Sequence, residues 1–366
     1  MRRPLALAIT ALLSVGCATP SSNAPPVDMD AATDAAPGDA SGVSDDAPAT
    51  DAPATDASRP DVAPPADAAT AGLVPQRVNV AATSVSAIEA DDERIYWISL
   101  RTGSSGGSVS VHAAPLAGGA PQMLAALPLA SMFAGASFIV ADATDLYVSV
   151  QGILSGIYRI PKAGGAPVEF VPGARSVAGL RVDDTWLFFT NGAEVRRVRK
   201  SDGMSELIAS SGNPYALETD ASFVYWLANS LLYRAPKASG GASVVRAPRD
   251  VVGHRSDGTT LWTFASTRTG GELFSSPLDP PTAAVSRVGG LPGGGRGVVA
   301  LDRDAVWLAA GSSLRSSLIR VPAGAGAPVT VAADQGTPFN FVLTPSYVVW
   351  LTTASDRTSV FYRVRR

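Results

Sequence analysis

An all-β fold is predicted for this chain: a seven-bladed β-propeller of four-stranded blades, closed by the N-terminal strand completing the C-terminal blade. Three observations predict it. A strand pattern built around an Asp, or its equivalent, recurs seven times after residue 73, at intervals of 37 to 51 residues. Each period holds about four short strands broken by turn signals, the spacing of a propeller blade. The last period stops one strand short, and an unassigned strand, Arg77-Val78-Asn79-Val80-Ala81, stands before the first. Joining the two would remove both open edges of the ring.

Residues 1–17 read as an export signal. Arg2 and Arg3 precede a short apolar stretch, Leu5 to Val15, which is too short to anchor as a membrane span and fits a signal-peptide core. The only cysteine of the 366 residues, Cys17, follows directly in Ser14-Val15-Gly16-Cys17. This stretch resembles a bacterial lipoprotein signal, with Ser14 where that pattern has leucine. The resemblance implies acylation of Cys17 and, because Ala18 rather than Asp follows it, an outer-membrane lipoprotein of the cell envelope. Ordinary secretion with the cysteine discarded is the alternative.

Residues 18–72 are almost wholly Ala, Pro, Asp, Thr, Ser and Gly, with ten aspartates against the single Arg59 and no aromatic residue. Such a segment buries too little apolar surface to offset its ordering entropy, so a disordered linker is expected. Like-charge repulsion and proline extend it beyond the ~40 Å of a flexible coil of that length. It would hold the folded part clear of a membrane surface.

Residues 73–366 carry the repeats. The anchors are Asp91, Asp142, Asp183, Asp220, Asp257, Asp302 and Thr344. Each has a short apolar strand before it and an aromatic or apolar pair four to six positions after it, as in Tyr96-Trp97 and Tyr225-Trp226. Five of the six tryptophans fall at this aromatic position. A third strand follows with the form Ile157-Tyr158-Arg159-Ile160-Pro161-Lys162, then a turn at Gly164-Gly165, whose paired glycines supply the positive φ of a tight hairpin. Leu232-Tyr233-Arg234-Ala235-Pro236-Lys237 repeats it, and Val360-Phe361-Tyr362-Arg363-Val364 ends the chain at its third strand. These repeats resemble those of the low-density-lipoprotein-receptor type of propeller, and of bacterial exported propellers with Tyr-Trp and Arg-x-Pro-x-x-Gly-Gly-Ala repeats. The resemblance implies the fold only. The receptor type has Thr-Asp after Tyr-Trp and six blades, so its ligand-binding residues do not transfer.

Composition narrows the chemistry. One cysteine excludes a disulfide framework and a cysteine-rich zinc site, and two histidines leave little for His-based acid–base or metal work. The net charge of −3 belongs to the linker, since the repeats carry 26 Lys and Arg against 22 Asp and Glu. No nucleic-acid partner is implied. The repeated aspartates are expected to bond their own turn amides rather than a metal. The repeated arginines, Arg159, Arg197, Arg234, Arg320 and Arg363, are expected to stack on the aromatic position, although a basic ring is the alternative. His112 aligns with Tyr158, Tyr233 and Tyr362 and reads as a packing ring.

One column is sharper. Two positions before each anchor, on the innermost strand, stand Glu89, Val140, Arg181, Glu218, Arg255, Ala300 and Val342, with His254 beside Arg255. Glu89, Arg181, Glu218, His254 and Arg255 are the candidate central-channel binding residues. They form either an ion-pair row that satisfies itself or a site for a small polar or anionic ligand. No catalytic residue, metal ligand or cofactor is assigned. The expected function is a monomeric, membrane-tethered, non-catalytic binding scaffold for a protein, peptide or glycan. The alternative is a propeller-type lyase or lactonase with a metal-dependent site on the central face.

Overall fold

The computed structural model describes residues 73–366 apart from 104–105, 128–134, 153–154, 239–240, 267–269, 281–285, 293–298, 303, 312–315, 324–326, 336–340 and 354–357. Residues 1–72, with the expected export signal, Cys17 and the expected linker, lie outside the described residues. The described residues form seven four-stranded antiparallel sheets, and no helix occurs among them. In each sheet the strands follow chain order, except the one that holds both ends of the domain. There, Gln76–Thr83 pairs antiparallel with Thr358–Arg365, with Gln76 opposite Arg363, Val78 opposite Phe361 and Thr83 opposite Thr358. The predicted closure is therefore present, with the N-terminal strand starting one residue before and ending two residues after the Arg77–Ala81 that the sequence pattern suggests.

The innermost strands of the seven blades are Val85–Ala90, Gly135–Ala141, Leu180–Val182, Tyr215–Thr219, Val251–Ser256, Val299–Leu301 and Phe341–Leu343. Alternation of side chains across each strand divides the core into seven layers, one at each blade boundary. The aromatic pair shows the rule. Tyr96 packs toward blade 2, while Trp97 packs toward blade 7 against Phe361 and Val349. The tryptophans accordingly do not share one position. Trp262 and Trp307 take the first place of the pair, and Trp97, Trp226 and Trp350 take the second, so the two sets face opposite boundaries. All five are buried. Third-strand rings stack on those at the second place: Trp226 on Tyr233, Trp350 on Tyr362, and Trp97 on His112 at 5.4 Å and 13°. His112 is thus a packing ring, as its alignment suggests. The paired-glycine hairpins also form as expected, with Gly164 and Gly165 at φ +89° and +142°.

The turn aspartates do two jobs. One carboxylate oxygen accepts the amides two and three residues on: Thr144 and Asp145 for Asp142, Ser222 and Phe223 for Asp220, and likewise at Asp91, Asp183 and Asp257. Thr344 does the same with its hydroxyl. The other oxygen reaches the next blade. Lys162, Lys200 and Lys237 donate to Asp91, Asp142 and Asp183 at 2.9, 2.8 and 2.7 Å, and Arg366 reaches Asp302 at 3.5 Å. These cations occupy the position after the third-strand Pro, or its equivalent, in each repeat.

Three of the five repeated arginines stack, but on a different ring from the expected one; Arg159 and Arg320, whose blades begin the second strand with Asp145 and Ala305 rather than a ring, pair instead with Asp145 and Asp304. Arg197, Arg234 and Arg363 lie over Trp186, Phe223 and Tyr347, which begin the second strands, at 4.2, 4.5 and 4.9 Å. From there Arg234 and Arg363 donate to the Leu278 and Leu116 carbonyls of the following blade. A guanidinium has donors in several directions and can both stack and bridge, which an aligned sequence does not display.

Candidate functional site

Three charged side chains of the innermost strands meet. Arg181, Glu218 and Arg255 stand opposite Phe188, Tyr225 and Trp262, the first aromatic place in blades 3, 4 and 5, so register alone puts them at one height. Arg181 grips Glu218 with two donors, its Nε at 2.8 Å from Oε2 and its Nη2 on Oε1. Arg255 donates through Nη1 to Oε2 from the other side. The remaining Arg181 contact is Nη1 to its neighbour's carbonyl at Leu180, 2.8 Å. Gly179 allows this approach: a Cβ there would stand 2.5 Å from that of Leu217, so only glycine lets the two inner strands lie so close.

Glu218 is 8% exposed, whereas about a third of each arginine side chain remains open, 33% and 34%. Burial pushes the Glu218 carboxyl up, but the charges of Arg181 and Arg255 and the hydrogen bonds of Arg181 outweigh it and hold it at about 2. One carboxylate between two guanidiniums leaves the cluster with a net positive charge that Glu218 cannot alter by protonation near neutral pH.

The other two sequence candidates sit apart from this contact. Glu89, in blade 1, is half-buried, and its Oε1 accepts the Ala90 amide at 2.9 Å. Among the described residues it forms no ion pair. Burial pushes its carboxyl up to about 7, against the Ala90 amide and the charges of Arg181 and Lys162. His254 precedes Arg255 and so points to the opposite face of its strand. It is 2% exposed, packed 6.3 Å from the Tyr225 ring, at the place held by leucines 180 and 217 in blades 3 and 4. Among the described residues neither ring nitrogen has a hydrogen-bond partner.

Burial, then Arg181 and Arg255, lowers the His254 imidazole to about 4, despite Glu218 nearby. An unfolded histidine protonates below about pH 6.5, so the folded state loses stability as pH falls from there toward 4, by up to about 3 kcal/mol. Replacing it with leucine should abolish that part of the acid loss. Thermal midpoints of wild type and His254→Leu should therefore diverge between pH 7 and pH 4.5. Parallel curves would contradict the burial of a neutral imidazole.

A second concavity, an open groove of about 950 Å³, lies between blades 3 and 4 and includes Asp183, Trp186, Arg197, Asp220, Phe223 and Lys237. Most of its charges are already engaged, Lys237 with Asp183, Arg197 with Glu206, and Asp220 with Tyr225 and Ser256, while Asp184 is exposed at its wall. No sequence feature marked this groove, because its walls come from the joins of two repeats rather than from one. Among the described residues no three His, Cys, Asp or Glu side chains converge.

No family model matches the chain, and no curated protein does. Solved structures do. The chain is similar to the β-propeller domain of the Trilobed protease from Pyrococcus furiosus, described as having an open velcro topology. That match has 11% identity and a TM-score of 0.54, over 77% of this chain and 93% of that one. It is equally similar to the WD40 domain of coronin from Toxoplasma gondii, with 11% identity and a TM-score of 0.54, over 80% and 86%. A prolyl endopeptidase matches at 11% identity and a TM-score of 0.55, over 77% of this chain but 48% of its own. This chain has a β-propeller fold. At such identities the likeness establishes the fold alone, and the propellers sharing it include both binding and enzymatic proteins.

Proposed function

We propose that the protein is a non-catalytic binding scaffold, exported and held at the cell envelope by a lipid on Cys17, with the linker as spacer and the propeller channel as ligand site. One observation carries the binding reading. The Arg181–Glu218–Arg255 cluster combines a fixed positive charge with guanidinium edges left open on the inner wall of the ring. Such groups favour holding an anionic group over transferring a proton. The partner class is a protein, peptide or glycan, with no nucleic acid, and the expected assembly is a monomer.

A second reading, a propeller lyase or lactonase, has one observation in its favour: Glu89, with its carboxyl raised to about 7, is suited to proton transfer near neutral pH.

Two measurements test the proposal. In cells, Cys17→Ser should stop fatty-acid labelling and move the protein from the membrane to the soluble fraction. An unlabelled wild type would remove the tether. On arrays of peptides and glycans, the full chain should retain anionic ligands without altering them. Turnover of a uronate polymer or lactone that is lost in Glu89→Gln would replace the scaffold by the enzyme.

A further inference from the structure

The channel wall around the charged cluster has two unlike arcs. Blades 3, 4 and 5 contribute Arg181, Glu218 and Arg255, while the same column holds Ala300 and Val342 in the adjoining blades 6 and 7; Glu89 in blade 1 and the buried Val140 in blade 2 complete it. Ala300 and Val342 are half-buried and offer no hydrogen-bonding side chain to a ligand's hydroxyls. On the charged arc, Arg255 donates only through Nη1 among the described residues, to Glu218. Its Nε–H and Nη2 edge remains, a planar fork of the kind that takes a carboxylate through two hydrogen bonds. The outer N–H groups of Arg181 flank the same carboxylate of Glu218 from the other side.

We propose that Arg255, assisted by Arg181, binds the carboxylate of a ligand that carries an apolar group beside it, as at the C-terminus of a peptide ending in an aliphatic residue. This deepens the scaffold reading and rests on it. Charge favours an anion here because two guanidiniums share one carboxylate. The apolar arc favours an aliphatic side chain over a hydroxylated sugar ring, whose polar groups would lose water without gaining partners.

Calorimetric titration of the full chain with acetyl-Gly-Gly-Leu, its C-terminal amide and glucuronate tests the proposal. The acid should bind, and the amide should bind at least about tenfold more weakly, as should the acid to Arg255→Gln, since a charged hydrogen-bond pair is lost. Amide binding equal to the acid, glucuronate binding as tight, or undiminished binding by Arg255→Gln would overturn it. Retention of other anions on the arrays without acetyl-Gly-Gly-Leu binding overturns this site alone. Retention of nothing removes the scaffold reading beneath it.

Discussion

Deletion of residues 76–83 should open the ring. That strand is the only covalent piece of the N-terminal side in the last blade, and it covers the edge of Thr358–Arg365. Its inward residues are Val78 and Ala82, 2% and 8% exposed, packed in one layer with Ile88, Trp97 and Phe361. Bringing together strands some 280 residues apart costs roughly 5 kcal/mol of loop-closure entropy. The pairing must therefore exceed that cost for the ring to stay shut. Without the strand, Phe361 meets water and a row of backbone groups is left as a sticky edge. The deletion should give a protein that aggregates and lacks a cooperative unfolding transition. Val78→Asp should approach the same state, at about 3–5 kcal/mol, because a charge enters a dry layer without a partner. A synthetic peptide of residues 74–84 should restore cooperativity to the deletion by pairing in trans. A deletion variant that melts cooperatively near the wild-type temperature would contradict closure by this strand.

Removal of the Glu218 side chain has the next largest expected effect. Glu218→Ala leaves Arg181 and Arg255 facing each other across the space of a carboxylate that both had used. Losing one partner of a buried pair costs about 3–5 kcal/mol, and the partial exposure of both arginines places this case near about 3. The thermal midpoint should fall by about 5–10 °C at neutral pH. Chloride should recover part of that fall by screening the two guanidiniums or occupying the gap between them. Arg255→Met should cost less in the Glu218→Ala background than alone, since it then removes repulsion. Because the Glu218 carboxyl is held at about 2, its stabilisation is present above the unfolded value of 4.5 and lost only as pH falls from there toward 2. The wild type and Glu218→Ala should thus converge in stability in strong acid. A Glu218→Ala protein as stable as wild type at pH 7 would show that the cluster is held by something other than its ion pairs.

Much of this is legible in the residues alone. Asp91, Asp142, Asp183, Asp220, Asp257, Asp302 and Thr344 marked the blades because each must serve the same turn. The column Arg181, Glu218 and Arg255 was legible because identical offsets from those turns imply identical heights. His254 joins that column only by adjacency in sequence: one residue along a strand is the other face, and the imidazole is buried toward Tyr225. The tryptophans share one aromatic pair in the sequence for the same reason, although its two places face opposite boundaries. The lysine latches were hidden differently: Lys162 and Asp91 belong to different repeats, and an alignment of repeats compares residues within columns rather than between neighbouring blades.

By itself, then, the sequence determined the number of blades, the strand that closes them and which residues share a height, since all three follow from period-two strands and a repeat of about 42 residues. Only the tertiary structure decided which partner each charge takes. Arg181 and Arg255 both choose Glu218, and Glu89 forms no ion pair among the described residues. That choice depends on how closely adjacent inner strands approach, set at one point by Gly179 against Leu217. Spacing along the chain does not contain that distance.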